Sequence, residues 1–352
     1  MKVLVTGSSG VLGHTLVPQL VSAGHEVRLF DLVAPPASLD ERVRATGREP
    51  KLEVVTGDMR DAAAMRAATT DIEIVHHLAA GQRMKPQFAD FSEEEIFEMN
   101  LSGVQNVLDA AKECRVRRVV FISSSAVYGL PETPLVDEDD HPKIPLGAYG
   151  DSKLAAEVLC GHAVQDGLDV AMLRPMSLFG DGMTGVFVLL FDWVRRNRRV
   201  YLLGKGANKV QMVAAEDVSR CAVLAADAPD ARGLIVNVGS PPERVPSVRA
   251  QCEALIRYAG ADSKIMAFPA SLLRTAARML NVFGMSPIVP EHYKLADVDF
   301  VLDISRAREK LGWEPQGDNI QITCDAYDWY LENWQRVAPK PNLPLRILEA
   351  LT

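Results

Sequence analysis

Cysteine is scarce in this sequence, and its pattern excludes two chemistries. The five residues, Cys114, Cys160, Cys221, Cys252 and Cys324, are scattered, odd in number and without metal-type spacing. Neither a zinc site nor a full disulfide framework is supported, and no metal is expected; a reduced, cytoplasmic chain fits that usage. Basic residues are also outnumbered, 38 Lys and Arg against 46 Asp and Glu for a net charge of −8, so the electrostatic footprint of a nucleic-acid binder is missing. One local cluster, Arg195, Arg196, Arg198 and Arg199, reads either as the solvated end of a helix or as a patch facing an anionic substrate or lipid. No apolar run reaches spanning length, and the core-strand pattern that follows Met1 at once leaves no room for a secretory leader. Internal repeats and low-complexity tracts are absent as well.

What is present is an ordinary globular composition, 48% hydrophobic and 24% charged over 352 residues. That length suits one large domain or two closely joined ones. Short β-branched runs at 2–6, 26–30, 52–56, 72–78 and 117–123 alternate with helical patterns. Such alternation predicts an α/β fold whose parallel sheet is covered on both faces. Further strands at 170–174 and 234–238 return to the same sheet. The expected division is therefore a Rossmann-type, doubly wound domain from 1–175 and 211–240, with a smaller mixed α/β substrate lobe from 176–210 and 241–352. A cleft between them would lie at the C-terminal ends of the strands. The Pro- and Asp-rich stretch from Pro131 to Pro145 reads as a loop on its rim. The strongly apolar run at 269–283 reads as a helix inside the smaller lobe, a wall for a hydrophobic substrate, or a membrane-adjacent surface.

The first strand runs directly into Gly7-Ser8-Ser9-Gly10-Val11-Leu12-Gly13. Gly7 permits a tight strand-to-helix turn, Gly10 lets backbone amides approach a pyrophosphate, and Gly13 allows close packing of helix on sheet. The helix N-terminus adds unpaired N–H groups and partial positive charge for the phosphates. Alone, the triplet could be an ordinary βα turn. Asp31, about twenty residues beyond the glycines and ending the next strand, supplies a carboxylate for both ribose hydroxyls. Such a carboxylate repels a 2′-phosphate, which favours NAD over NADP; the alternative is an Asp that simply opens a loop.

The strand ending at Ile122 leads into Ser123-Ser124-Ser125, and Tyr149 and Lys153 follow at i and i+4 on one helical face. A phenol with an unperturbed pKa of about 10 is a poor base at neutral pH. A neighbouring ammonium favours the phenolate, and a serine hydroxyl can share the substrate's hydroxyl proton. Ser124, Tyr149 and Lys153 are thus the expected catalytic set for moving a hydride between substrate and nicotinamide.

Thr6-Gly7-x-x-Gly10-x-x-Gly13, Asp31, Gly57-Asp58, His77-Leu78-Ala79-Ala80, Asn100, Ser124 with Val127-Tyr128-Gly129, Tyr149/Lys153 and Arg174-Pro175 with Gly180 together resemble the extended short-chain dehydrogenase/reductases, specifically their NAD-dependent epimerase/dehydratase group. Glu216-Asp217-Val218, Asn237-Val238-Gly239 and the run Ala307 to Pro315 resemble that group's closing pattern. The resemblance covers nearly the whole chain. It implies that Asp58 and Met59 sit beside the adenine, that Leu78, Ala79 and Ala80 line the middle of the cofactor, and that Lys153 also holds the nicotinamide ribose. Ser9, Val11 and Leu12 join the glycines in the cradle, while Asn100, Ser123, Pro175 and Ser177 complete the cofactor set. Ser125, Ser177, Asn208 and Gln211 are the implied substrate contacts. Asp58 equally suits a helix N-cap, Ala79 and Ala80 plain packing, and Asn100 support of the active-site backbone. His76 and His77 are packing residues on this reading. A homodimer is implied, with helices 92–113 and 149–166 as candidate interface; Ala155, Ala156, Val158 and Leu159 could equally be intramolecular core.

Departures from the family pattern bear on reaction type. Where the group's dehydratases resemble Thr-Asp-Glu this chain has Ser124-Ser125-Ala126, which lacks the carboxyl groups needed to eliminate water. Ser177 stands where many nucleotide-sugar epimerases carry Asn, and Val210 where they carry an Arg near the diphosphate. Lys205, Lys209 or the 195–199 arginines could neutralise a diphosphate, but a lysine lacks the bidentate guanidinium fork. The leading expectation is NAD-dependent epimerisation of a nucleotide sugar through a transient ketone. The alternative is a net dehydrogenase or reductase of a more hydrophobic molecule, resembling the 3β-hydroxysteroid dehydrogenases. A third class is a cofactor sensor without turnover.

Overall fold

The computed structural model describes residues 1–81, 91–139, 141–182, 186–268, 295 and 297–337. The expected helix at 269–283 lies outside them.

Strand β1 (Lys2–Thr6) sends Val3 and Val5 into one core cluster and Leu4 into another, as the two-residue side-chain period of a strand requires. A strand buried on both faces needs cover from both sides, and the intervening helices supply it. β2 (Glu26–Asp31), β3 (Leu52–Thr56), β4 (Ile74–His77) and β5 (Arg118–Ile122) join β1 in a parallel sheet. After the two-residue β6 (Leu135–Val136), β7 (Val170–Pro175) extends it on the far side of β5. On one face pack α1 (Gly13–Ser22) and α2 (Ala37–Arg44); on the other pack α3 (Ala62–Thr69), α4 (Glu93–Glu113) and α5 (Ala148–Gln165).

β8 (Ser177–Phe179), α6 (Val186–Arg195) and β9 (Val200–Leu203) follow, then β10 (Met212–Ala214), α7 (Ala215–Asp227) and β11 (Ile235–Val238). β11 closes a seven-stranded sheet of order β11-β7-β5-β4-β1-β2-β3. The chain reverses its direction of travel across the sheet between β1 and β4, the switch point where such folds bind ligands. α8 (Val248–Tyr258), β12 (Ile265–Phe268), β13 (Val301–Leu302), α9 (Ser305–Leu311) and α10 (Asn319–Val337) complete the described elements. Phe191 of α6, Leu255 of α8 and Tyr330 of α10 anchor a separate core cluster against the β9–β12 pair.

Two details differ from the sequence expectation. The 131–145 stretch is not simply an exposed rim: Leu135–Val136 pairs in parallel with Val301–Leu302, and Glu138 and His141 are buried. The short strand β10, not anticipated from the sequence, pairs in parallel with β8 outside the central sheet. In each case the partner lies far along the chain, beyond the reach of a local periodicity.

Candidate active site

At the C-terminal end of β1 the chain turns through Gly7, whose φ of +72° is a left-handed conformation that favours glycine. A Cβ there would lie 2.6 Å from the Ala79 backbone nitrogen, and one on Gly13 would lie 2.0 Å from the Ser8 carbonyl oxygen. The first contact seats the turn against the strand end after β4; the second seats α1 against the turn. Gly10 donates to the Gly7 carbonyl at 3.1 Å and closes the loop. Asp31 accepts from the Ser9 amide at 2.9 Å, so the end of β2 is fastened to this loop. Val11 lies against the chain just after β8, where a Cβ on Gly180 would come within 2.9 Å of its side chain; Leu12 packs on the core beneath. A cradle of small residues open to backbone amides, with a carboxylate at the neighbouring strand end, fits a dinucleotide.

Asp58 accepts from the backbone and guanidinium of Arg60, which holds its carboxyl below the usual carboxylate range. It does not cap α3: Asp61 does, accepting from Ala63 and Ala64. Met59 is buried and fits against Gly103 of α4. Leu78 donates its amide to the Thr6 carbonyl at 3.1 Å, and Ala79 packs on the core beside Gly7. Ala80 follows, half-buried. Asn100 is buried, accepts from the Gly81 amide at 2.7 Å, and donates to the Gly81 carbonyl and to Ser152 Oγ. Its amide is committed to protein groups, so it braces the loop after β4 against α5 rather than meeting the cofactor directly. His76 and His77 are enclosed, and burial lowers both to about 3, which keeps them neutral. His77 Nδ1 lies 2.7 Å from Thr6 Oγ1. Among the described residues no cluster of potential metal ligands occurs.

Ser124 Oγ accepts from the Ala126 amide at 3.1 Å at the start of a short 3-10 turn, Ser125–Tyr128. That bond uses an oxygen lone pair and leaves the hydroxyl hydrogen for a substrate oxygen. Ser125 is buried, and Ser123 donates to Glu157 Oε1 at 2.6 Å. Tyr149 stands half-buried in the first turn of α5. Lys153, one turn on, is buried and donates to the Ile122 carbonyl at 2.8 Å, with its Nζ 5.9 Å from the Tyr149 ring centre. The sequence reading missed Gly150: a Cβ there would sit 2.7 Å from the Ala126 carbonyl oxygen. Its lack of a side chain lets α5 close on the turn that carries Ser124, and a glycine inside the Tyr-x-x-x-Lys run was the available signal.

Sequence reading also missed a buried polar network behind this site. Arg174 at the end of β7 meets Glu157 bidentately, at 2.8 and 2.7 Å, and donates to Tyr128 Oη at 2.7 Å. Tyr128 donates to Asn237 of β11. Burial opposes the Arg174 charge, but the Glu157 carboxylate outweighs it and raises its pKa; for Tyr128 and Glu138 burial is itself the main cause of a raised pKa.

The expected substrate contacts fare differently. Pro175 ends β7 and Ser177 opens β8, half-buried beside the same strand ends. Gln211, by contrast, is fully enclosed and corrects the expectation: it donates to the Ser240 and Leu302 carbonyls and accepts from the Leu302 amide at 2.9 Å. It joins segments of the fold and has no face left for a substrate. Asn208 is nearly buried and donates to the Val298 carbonyl. Val210 forms a bridge with Phe300. Arg195 and Arg196 both pair with Asp192, and Arg195 lies 4.0 Å from the Trp334 ring centre.

A dinucleotide cradle at the switch point, with a Ser, Tyr and Lys set at its far end, defines a nucleotide-dependent oxidoreductase fold. The family model described as the NAD dependent epimerase/dehydratase family matches residues 3–239, and the chain belongs to this family of enzymes, whose cofactor is NAD. It is 34% identical over 333 residues to the uncharacterised protein y4nG of Sinorhizobium fredii, covering 94% of this chain and 78% of that one. It is 30% identical over 328 residues to a UDP-glucose 4-epimerase of Mycolicibacterium smegmatis (90% and 94% covered). A 3 beta-hydroxysteroid dehydrogenase/Delta 5-->4-isomerase of Mycobacterium tuberculosis is 27% identical over 360 residues (96% and 92%). Among solved structures, UDP-glucuronic acid 4-epimerase of Bacillus cereus in complex with NAD shares the fold with a TM-score of 0.74 at 21% identity, covering 95% and 98%.

Proposed function

We propose that this enzyme interconverts a secondary alcohol and its ketone, with Tyr149 as acid–base, Lys153 as its electrostatic support and Ser124 as hydrogen-bond partner of the reacting oxygen. Bound NAD supplies the hydride acceptor, and the reduced form the donor. Gly7, Gly10, Gly13 and Asp31 would hold its adenosine and pyrophosphate end. Lys153, fixed on the Ile122 carbonyl, places positive charge beside the Tyr149 ring and favours the phenolate that takes the hydroxyl proton. In the reverse direction the same phenol returns that proton to the carbonyl oxygen.

The substrate we favour is a comparatively apolar hydroxy or keto compound turned over in a net oxidation or reduction. The observation that carries this choice is Val210, bridged to Phe300 at the position where the resemblance to nucleotide-sugar epimerases implies an Arg near the diphosphate. The steroid dehydrogenase relative is consistent with it. Epimerisation of a nucleotide sugar through a transient ketone is the second reading, favoured by the 30% identity to a UDP-glucose 4-epimerase. Incubating the enzyme and NAD with panels of apolar secondary alcohols and of nucleotide diphosphate sugars separates the two. Steady growth of reduced-nicotinamide absorbance with an alcohol supports the first. Interconversion of sugar epimers with no net absorbance change sinks it in favour of the second.

The two-lobe division at 175/176, 210/211 and 240/241, a cytoplasmic location and homodimerisation belong to the same proposal. Among the described residues no helix is long and apolar enough to cross a membrane. On α5, Ala156 is core and Leu159 packs on it, whereas Val158 is 50% exposed, so the outward Val158 face beside α4 is the candidate dimer surface. Light scattering of Val158→Glu against the unmodified protein tests it: an unchanged mass removes that face.

A further inference from the structure

Lys153 and Glu157 lie four residues apart on one face of α5, and they grip successive residues at the end of β5. Lys153 donates to the Ile122 carbonyl at 2.8 Å, and Glu157 accepts from Ser123 Oγ at 2.6 Å. Ser124 is the next residue. Glu157 is 7% exposed, and both of its oxygens are also held by Arg174 of β7, the neighbouring strand. Arg174 is in turn braced by Tyr128 Oη and the Glu138 carbonyl. A bidentate carboxylate with a third donor is held in one orientation, so the helix bearing Tyr149 and the strand end that leads into Ser124 share one fixed reference.

We propose that Glu157 is a positioning residue for the hydride-transfer site, setting Ser124 and the Lys153–Ile122 contact relative to Tyr149 through its hydrogen bond to Ser123 and its ion pair with Arg174. This rests on the reading of Tyr149 as the acid–base. The charged and titratable groups facing Glu157 are Lys153 and Cys160 on its own helix, Arg174 on β7, and Tyr128 of the 3-10 turn, which Glu138 also faces. His77 on β4 faces Lys153 and is held neutral by burial.

The sign of one measurement separates positioning from a bare counterion. Removing a negative charge while moving nothing stabilises a nearby phenolate and lowers the phenol's pKa; loosening Lys153 from its place raises it. The experiment is an ultraviolet pH titration of phenolate formation in the full-length enzyme, taken as the difference from a Tyr149→Phe background, for the unmodified protein, Glu157→Gln and Ser123→Ala. Ser123→Ala keeps the ion pair and cuts only the link to β5, so it also serves if Glu157→Gln fails to melt cooperatively. The expected result is a Tyr149 titration below about 10 in the unmodified protein. In each folded variant it rises by about one unit. An unchanged or lowered titration in either folded variant overturns the proposal and leaves Glu157 as the counterion of Arg174. An ordinary tyrosine titration in the unmodified protein overturns the Tyr149 reading and this proposal with it, and is seen before any substitution behind the site.

Discussion

A methyl group on Gly13 would lie 2.0 Å from the Ser8 carbonyl oxygen, against backbone that has no rotamer by which to yield. Gly13→Ala is therefore expected to push α1 off the turn and abolish measurable NAD binding in a fluorescence titration; retained affinity would show that the cradle can reshape. Asp31→Ala removes the carboxylate that the Ser9 amide now holds, and a lost charge-assisted bond of about 1.5–3 kcal/mol predicts NAD binding weaker by roughly 10- to 100-fold. Calorimetry checks this, and an unaltered dissociation constant would remove Asp31 from the ribose. Tyr149→Phe keeps the ring and its contact with Lys153 but deletes the hydroxyl proposed to carry the proton. Turnover of a confirmed substrate should fall on the order of 10²- to 10⁴-fold while NAD still binds. These residues were legible in the sequence because their meaning is local: a glycine at a turn, a carboxylate at a strand end, a Tyr and Lys one helical turn apart. Gln211 was misread because its amide meets Ser240 and Leu302, which no spacing near position 211 reveals.

At the scale of elements, α4 starts with a reciprocal cap: Ser92 Oγ accepts from the Glu95 amide at 3.1 Å and Glu95 Oε2 accepts from the Ser92 amide at 2.7 Å. Ser92→Ala should lower stability by about 1 kcal/mol. It should appear as a lower melting temperature with NAD affinity unchanged, because Asn100 lies further along the helix; loss of NAD binding would mean that the cap also governs the loop Asn100 braces. The central strands were readable from β-branched runs of several residues. β6, β8, β10 and β13 have two or three residues each, too few for a period to register. Helix α5 was expected from its pattern, but its closeness to the 3-10 turn depends on Gly150 meeting the Ala126 carbonyl, a contact between separate elements.

Over the whole molecule, polar side chains buried between distant segments tie residues 313–319 to β10, to α7 and to the turn after β11. Asn319 accepts from Ser240 Oγ and the Met212 amide and donates to the Val210 carbonyl, while Trp313 donates to the Asp217 carbonyl at 2.9 Å. Two enclosed histidines give the fold a defined response to acid. Burial lowers His76 and His77 to about 3, against about 6.5 in an unfolded chain. The unfolded state thus binds more protons between those values. Their contribution to stability is complete above about 6.5 and declines as pH falls toward 3, by up to about 1.4 kcal/mol per pH unit for each histidine. Denaturant titrations at stepped pH should show that decline; a flat profile from about pH 6.5 to 4.5 would mean that the histidines are charged or hydrated in the native state.

The sequence by itself determined the parallel sheet, the glycine turn with Asp31, and the pairing of Tyr149 with Lys153, because each is written in periodicities and spacings that act over a few residues. Only the tertiary structure decided that Gln211 is sealed inside, that Glu157 and Arg174 stand behind Ser123 and Lys153, and that Gly150 brings α5 onto the turn after Ser124. Those outcomes depend on which distant polar groups satisfy one another once water is excluded. A buried hydrogen bond is specified by two segments at once, and neither segment carries its partner's address.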